Sequence, residues 1–165
     1  MSETKVLDIL KSAILLEKRG FSFYSRVATQ AQGEAVKKFF EHMAHEEVQH
    51  VELLSKQFRS YQKVGHFEKI NLADNESVVD EVLTEDLKKE IEASSFEAAA
   101  ISSAIDFEKR AVELYGKRAL ETTDIEEKNL YTWLSKWEQT HLDDLVKLDD
   151  ELQETVWFDN NFWPM

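Results

Sequence analysis

Four long stretches of the chain repeat apolar residues at i, i+3 and i+4, the spacing that gives an α-helix one greasy face. In the first, Leu10, Ala13, Glu17, Phe21, Tyr24 and Ala28 fall on one stripe, and Gly33 stands where a helix would stop. The second carries Val36, Phe40, Met43, Glu47, His50 and Leu54. The third begins near Ser94, where Ser94 and Glu97 have capping-box spacing, and its stripe is Ile101, Ala104, Glu108, Ala111 and Tyr115. After "ETTD" the fourth runs through Tyr131, Leu134, Glu138, His141, Leu145, Leu148 and Leu152. Between the second and third lies "KVGHFEKINLADNESVVDEVLTEDLKKEIEA", far longer than a hairpin turn requires and able to carry the chain back along a bundle, with a short helix near "EDLKKEIEA". The order short turn, long crossover, short turn predicts an all-α fold. We expect one domain over 1–165, a four-helix bundle of two helical hairpins at about 4–62 and 95–154, with a crossover at about 63–94 and a tail at 155–165.

The two hairpins echo one another. "SAILLEKRG" at 12–20 and "SAIDFEKRA" at 103–111 align at an offset of 91, matching Ser12, Ala13, Ile14, Glu17, Lys18 and Arg19 with Ser103, Ala104, Ile105, Glu108, Lys109 and Arg110. Further on, Tyr24 falls on Tyr115 and Ala28 on Ala119. A chain of 165 residues is the size of one typical domain, so the two repeats are expected to share a core.

Composition narrows the function more than the fold. Only four Gly and one Pro leave little punctuation for strands and turns. A formal charge of −13 repels phosphate backbones and anionic lipid while favouring metal cations, so neither nucleic acid nor a membrane surface is an expected partner. The absence of Cys removes disulfides, thiolate metal sites and cysteine nucleophiles. "MSETKVLDIL" lacks the apolar core of a secretion signal, and no apolar run is long enough to span a bilayer; the expected location is the cytoplasm. The tail crowds Trp157, Phe158, Phe162 and Trp163, which most simply pack on the end of the bundle or else form an interface.

On the apolar stripes, charged groups stand where a packed bundle wants Leu. Burying an unpaired carboxylate is costly, so these groups need partners. Glu17 and Glu47 are equidistant from residue 32, at the first turn, and Glu108 and Glu138 are equidistant from Thr123, at the second. Residues equidistant from a hairpin turn lie at one height. In each hairpin the second Glu is followed three residues later by His, in "EVQH" and "EQTH", which places both side chains on one helical face. Glu17, Glu47, His50, Glu108, Glu138 and His141 are therefore expected to converge at one level. Four carboxylates bring −4 and two divalent ions bring +4, so a dinuclear metal site closes the charge. Carboxylate and imidazole suit iron or manganese, and zinc or cobalt could take the same place. A salt-bridge network with Lys18, Arg19, Lys109 and Arg110 is the alternative, although those residues sit beside the stripe rather than on it. Glu46 is expected to be solvated; His42 and His45 could catch metal with Glu46, although histidines on a helix surface usually carry no function.

One Glu from each of two helices and Glu-x-x-His from each of the other two is the ligand pattern of the ferritin-like di-iron carboxylate proteins. Over about 4–154 the sequence resembles that group, especially its rubrerythrin-like branch. The resemblance implies a ferritin-like bundle with two iron ions, in which Glu17 and Glu108 are single-Glu ligands while "EVQH" and "EQTH" supply Glu47, His50, Glu138 and His141. It also implies that Tyr24 and Tyr115, two turns beyond their Glu ligands, hydrogen-bond near the site and serve catalysis with the four carboxylates; packing in the core is the other reading of these tyrosines. Rubrerythrins usually add a Cys-ligated rubredoxin-like domain and an extra Glu one turn beyond the third-helix ligand. Here there is no Cys, and that position is Ala111.

The function implied is reduction of hydrogen peroxide or dioxygen, protecting against oxidative stress with electrons from an external donor such as a rubredoxin-like protein. Ferrous oxidation or iron handling, manganese-based peroxide disproportionation, and a non-catalytic metal-stabilised bundle are the alternatives. A homodimer is expected by helical packing. Small residues one turn past the single-Glu ligands, Gly20 and Ala111, either leave an opening beside the metals or let helices approach closely.

Overall fold

The structure, a computed structural model, describes residues 3–73, 81–91 and 96–159, without the side chains of 81–84 and 155–159. The chain forms α1 (Glu3–Gln30), α2 (Glu34–Val64), α3 (Glu81–Glu90), α4 (Phe96–Glu121) and α5 (Ile125–Asp159). Turns of only a few residues join α1 to α2 and α4 to α5, so each pair folds back on itself as an antiparallel hairpin. The crossover returns the chain along the bundle and ends in α3, whose Leu87 packs into the core beside the first turn. Among the described residues the fold is all-α, a bundle of two antiparallel helical hairpins. Among the described residues, no helix is long and apolar enough to cross a membrane.

Two apolar clusters fill the bundle, one toward each end. At the first-turn end, Tyr24, Phe39, Phe40 and Met43 of the first hairpin meet Ile101, Ala104, Leu145 and Leu148 of the second. At the opposite end, Val6, Leu10 and Leu54 meet Tyr115, Leu130, Tyr131 and Leu134. The polar positions on the stripes fall between the two clusters, enclosed by apolar packing above and below.

Local expectations change at Gly33, at Phe21 and at the start of the tail. Gly33 does not close α1; it is the N-cap of α2, with extended backbone and no side chain to cap the helix. The carboxylate of Glu90, from α3, does so instead, accepting the N–H groups of Ala35 at 3.1 Å and Val36 at 3.0 Å. A Cβ at position 33 would collide with that carboxylate, which accounts for the glycine. Ser94 lies outside the described residues, and Glu97 turns its carboxylate to the N–H of Gln32 at 3.2 Å in the first turn. Phe21, expected on the inner stripe, is 40% exposed, while Gly20 faces inward in its place. Stepping three residues from Glu17 keeps position 20 on the core side, where Phe107 of α4 takes the space a side chain would fill. At the other end of the chain α5 runs on to Asp159, into the expected tail; the side chains of Trp157, Phe158, Phe162 and Trp163 lie outside the described residues.

Candidate metal centre

Each of the four long helices delivers its stripe carboxylate to the level between the two apolar clusters. Glu17, Glu47, His50, Glu108, Glu138 and His141 are all buried, at no more than 1% exposure. They form two overlapping groups, Glu17–Glu47–His50–Glu138 and Glu47–Glu108–Glu138–His141, and within each group the potential ligand atoms lie within 4.8 Å of one another. Glu47 and Glu138 belong to both, as carboxylates shared between two ions would.

The imidazoles face inward through Nδ1. His50 Nδ1 lies 3.1 Å from Glu17 Oε2, 2.9 Å from Glu138 Oε1 and 3.7 Å from Glu47 Oε2. His141 Nδ1 lies 3.1 Å from Glu138 Oε2 and 3.7 Å from Glu108 Oε1. The cluster does not satisfy itself. Both oxygens of Glu47 and Oε2 of Glu108 are buried without a hydrogen-bond partner. A carboxylate in that state is costly unless a cation or a proton meets it, and the donor set of oxygens and imidazole suits one. Lys18, Arg19, Lys109 and Arg110 are exposed, so the salt-bridge alternative has no basic partner among those four within the layer.

Without metal, the layer reaches for protons. Burial, reinforced by the charge of Glu138, pushes the Glu108 carboxyl up to about 7. Burial and the charges of Glu17 and Glu138 raise Glu47 well above the ordinary carboxylate range. Burial works against charge on His50 and His141, yet the surrounding carboxylates hold both well above the usual imidazole value. Glu138 is buried too, but the two imidazoles keep it below its usual range. These are the shifts expected where anionic groups are concentrated in low dielectric.

The tyrosines do both: Tyr24 and Tyr115 pack in the two apolar clusters and also hydrogen-bond to the carboxylates. Tyr24 of α1 donates its hydroxyl to Glu108 of α4, and Tyr115 of α4 donates to Glu17 of α1. Burial first, and then the neighbouring carboxylates, raise both hydroxyls well above the ordinary tyrosine value, so both keep the proton they donate. A cavity of about 340 Å³ is lined by Tyr115 and Tyr131 together with Lys5, Asp8, Lys117 and Arg118 among others, and by none of the six clustered Glu and His residues. At Gly20 a Cβ would lie 3.0 Å from the Phe107 ring and 3.1 Å from Glu47 Cδ, and Ala111 is buried in the apolar cluster. At position 20, close approach is what the small residue serves.

Glu46 is not solvated. It is 6% exposed and accepts a hydrogen bond from His141 Nε2, with His42 Nε2 at 3.2 Å from its other oxygen. Burial opposes ionisation, but His141 and His42 hold its carboxyl below the ordinary value. The sequence carried a signal for this: Glu46 stands three residues after Met43 and four before His50, both on the inner stripe. His42 is half-buried against this carboxylate, while His45 is exposed, its Nε2 3.2 Å from Gln49 Nε2. Trp133 and Trp137, also unanticipated, stand edge-on to His50 with ring centroids 5.8 and 5.4 Å away.

The family model for rubrerythrin matches residues 8–149 of the chain. No curated protein and no solved structure gives a significant match.

Proposed function

Because this chain belongs to the rubrerythrin family, a family of di-iron carboxylate proteins, we propose that Glu17, Glu47, His50, Glu108, Glu138 and His141 hold two iron ions. We propose further that the protein reduces hydrogen peroxide or dioxygen with electrons from an external donor. Iron bound in this layer supplies the two reducing equivalents that the oxidant takes up.

The observation that carries this reading is the set of unsatisfied carboxylate oxygens sealed between two apolar clusters, with one inward-facing imidazole for each overlapping group. Glu47 and Glu138 would hold both ions at a common spacing, while Glu17 and Glu108 each serve one. Tyr115 and Tyr24 fix the orientation of those two carboxylates with donated hydrogen bonds and retain their protons in doing so. The apolar clusters exclude bulk water from the layer, which strengthens every charge interaction inside it. With no Cys among these 165 residues, no thiolate-held electron carrier can be built from them, and in this reading the electrons come from outside this domain, from a donor such as a rubredoxin-like protein.

The test is anaerobic loading with ferrous iron, metal counting, and stopped-flow mixing with peroxide or dioxygen. Two irons per chain are expected, with one peroxide consumed per pair of irons oxidised and further turnover only when an external reductant is supplied. Sustained peroxide loss with dioxygen release and no reductant would overturn this reading in favour of a catalase-like one. Net accumulation of oxidised iron beyond two per chain would favour iron handling.

A further inference from the structure

The internal repeat makes the metal layer nearly two-fold symmetric, and the structure shows where that symmetry breaks. At the offset of 91 that superposes Glu47 on Glu138 and His50 on His141, Glu46 falls on Trp137 and His42 on Trp133. A carboxylate–imidazole pair on α2 is thus replaced by two indoles on α5. Glu46 accepts from His141 Nε2 of the opposite hairpin and has His42 at its other oxygen, whereas Trp133 and Trp137, 4.7 Å apart by centroid, flank His50.

The consequence lies in where a proton goes when metal binds. Both histidines turn Nδ1 toward the carboxylates, so a metal taken there leaves the ring proton on Nε2. For His141 that proton already sits in a hydrogen bond to Glu46, which fixes the tautomer and ring orientation and makes the inward nitrogen a better donor. For His50 the corresponding nitrogen is buried and has no hydrogen-bond partner. The ion at that position gains no such support, and its ligand carries an unmet donor.

We propose that the two metal positions are inequivalent, with Glu46 a positioning residue that makes the Glu47–Glu108–Glu138–His141 position the tighter and first filled, and the Glu17–Glu47–His50–Glu138 position the weaker. The inference rests on the metal-binding reading above. Its scale is that of a lost outer carboxylate on a ligating histidine, about 10- to 100-fold in affinity.

The experiment titrates the metal-free full-length chain with cobalt(II), following visible ligand-field bands and competition with a chromophoric chelator. Two steps separated by about 10- to 100-fold are expected. His50→Ala should remove the weaker step and keep the tighter, and His141→Ala should do the reverse. Glu46→Gln should weaken the tighter step by about 10- to 100-fold and alter its bands, leaving the bands of the other ion unchanged. Trp137→Glu, which restores a carboxylate at the symmetry-related place, should tighten the weaker step; a merely structural role for Glu46 predicts no such gain. Two equal steps, survival of the tighter step in His141→Ala, or equal weakening of both steps by Glu46→Gln would overturn the inference while leaving a dinuclear site intact. No cobalt binding by the parent chain would overturn the metal-binding reading itself, and the inference with it.

Discussion

The hydroxyl of Tyr24 on α1 donates to Glu108 on α4, two helices that belong to different hairpins. The repeat returns the bond, Tyr115 on α4 donating to Glu17 on α1. Each tyrosine therefore ties its own hairpin to the carboxylate of the other, at the level of the buried Glu and His cluster.

Removing one of these ties separates its structural share from any metal-binding one. Tyr24→Phe leaves a buried oxygen of Glu108 without its donor, at a cost of about 1–3 kcal/mol in the metal-free protein. Metal content is expected to stay at the parent's value, because none of the six proposed ligands is altered. Urea denaturation of the metal-free form, with metal counting on the loaded form, checks both halves.

The six proposed ligands are tested most directly through the carboxylates common to both groups. Glu47→Ala/Glu138→Ala removes the two residues common to both groups and should abolish two-metal binding. Loading followed by gel filtration and elemental analysis reads this out, and full occupancy by two metals in the double variant would refute the assignment.

Acidity should act on the empty and loaded forms in opposite senses. Glu108, raised to about 7, and Glu47, raised well above its usual range, keep protons that the unfolded chain gives up near its ordinary carboxylate value. Stability therefore falls as pH climbs from the ordinary carboxylate value toward 7. His50 and His141 are also raised, so their contribution is complete below the unfolded imidazole value and is lost as pH rises through the folded values. Both effects lower the denaturation midpoint of the metal-free protein between about pH 6 and pH 8. Metal requires the same groups deprotonated, so the loaded protein should hold or gain stability over that range. Paired melts with and without metal decide it.

Gly20 separates packing from access. A leucine there must displace the Phe107 ring and the Glu47 carboxyl, costing roughly 1–3 kcal/mol by overpacking. Metal content should fall with it, since Glu47 is shared by both groups. A Gly20→Leu variant that retained both metals at parental stability, and merely reacted more slowly with oxidant, would restore the opening that the close approach of Phe107 excludes.

The cap on α2 comes from the crossover, and its loss should register in the fold alone. Glu90→Ala frees the N–H groups of Ala35 and Val36 and should destabilise by about 0.5–2 kcal/mol, without change in metal stoichiometry. Thermal melts and metal counts on the same preparation are the measurement.

What the sequence determined by itself is the architecture and the convergence. Four amphipathic stripes with two short turns and one long connection admit few arrangements, and equal distance from a hairpin turn sets equal height whatever the side chains do. The duplicated Glu, then Glu-x-x-His, was therefore legible as one polar layer before any coordinates, because helical spacing is a local property of the chain.

What only the tertiary structure decided depends on which residue of the other hairpin arrives at each place. Gly20 was compatible with an opening until Phe107 of α4 was seen against it. Glu46 looked solvated because a stripe drawn on α2 alone does not show that His141 of α5 turns its Nε2 onto it. Glu90 gave no sign of capping α2, since the two meet only when the crossover returns to the first turn. The repeat itself predicted two equal halves; that Glu46 and Trp137 occupy matching positions is written in the chain, but its meaning appears only when each is found against the opposite hairpin's histidine. Such contacts are set by packing between distant segments, and helical spacing along one segment carries no record of them.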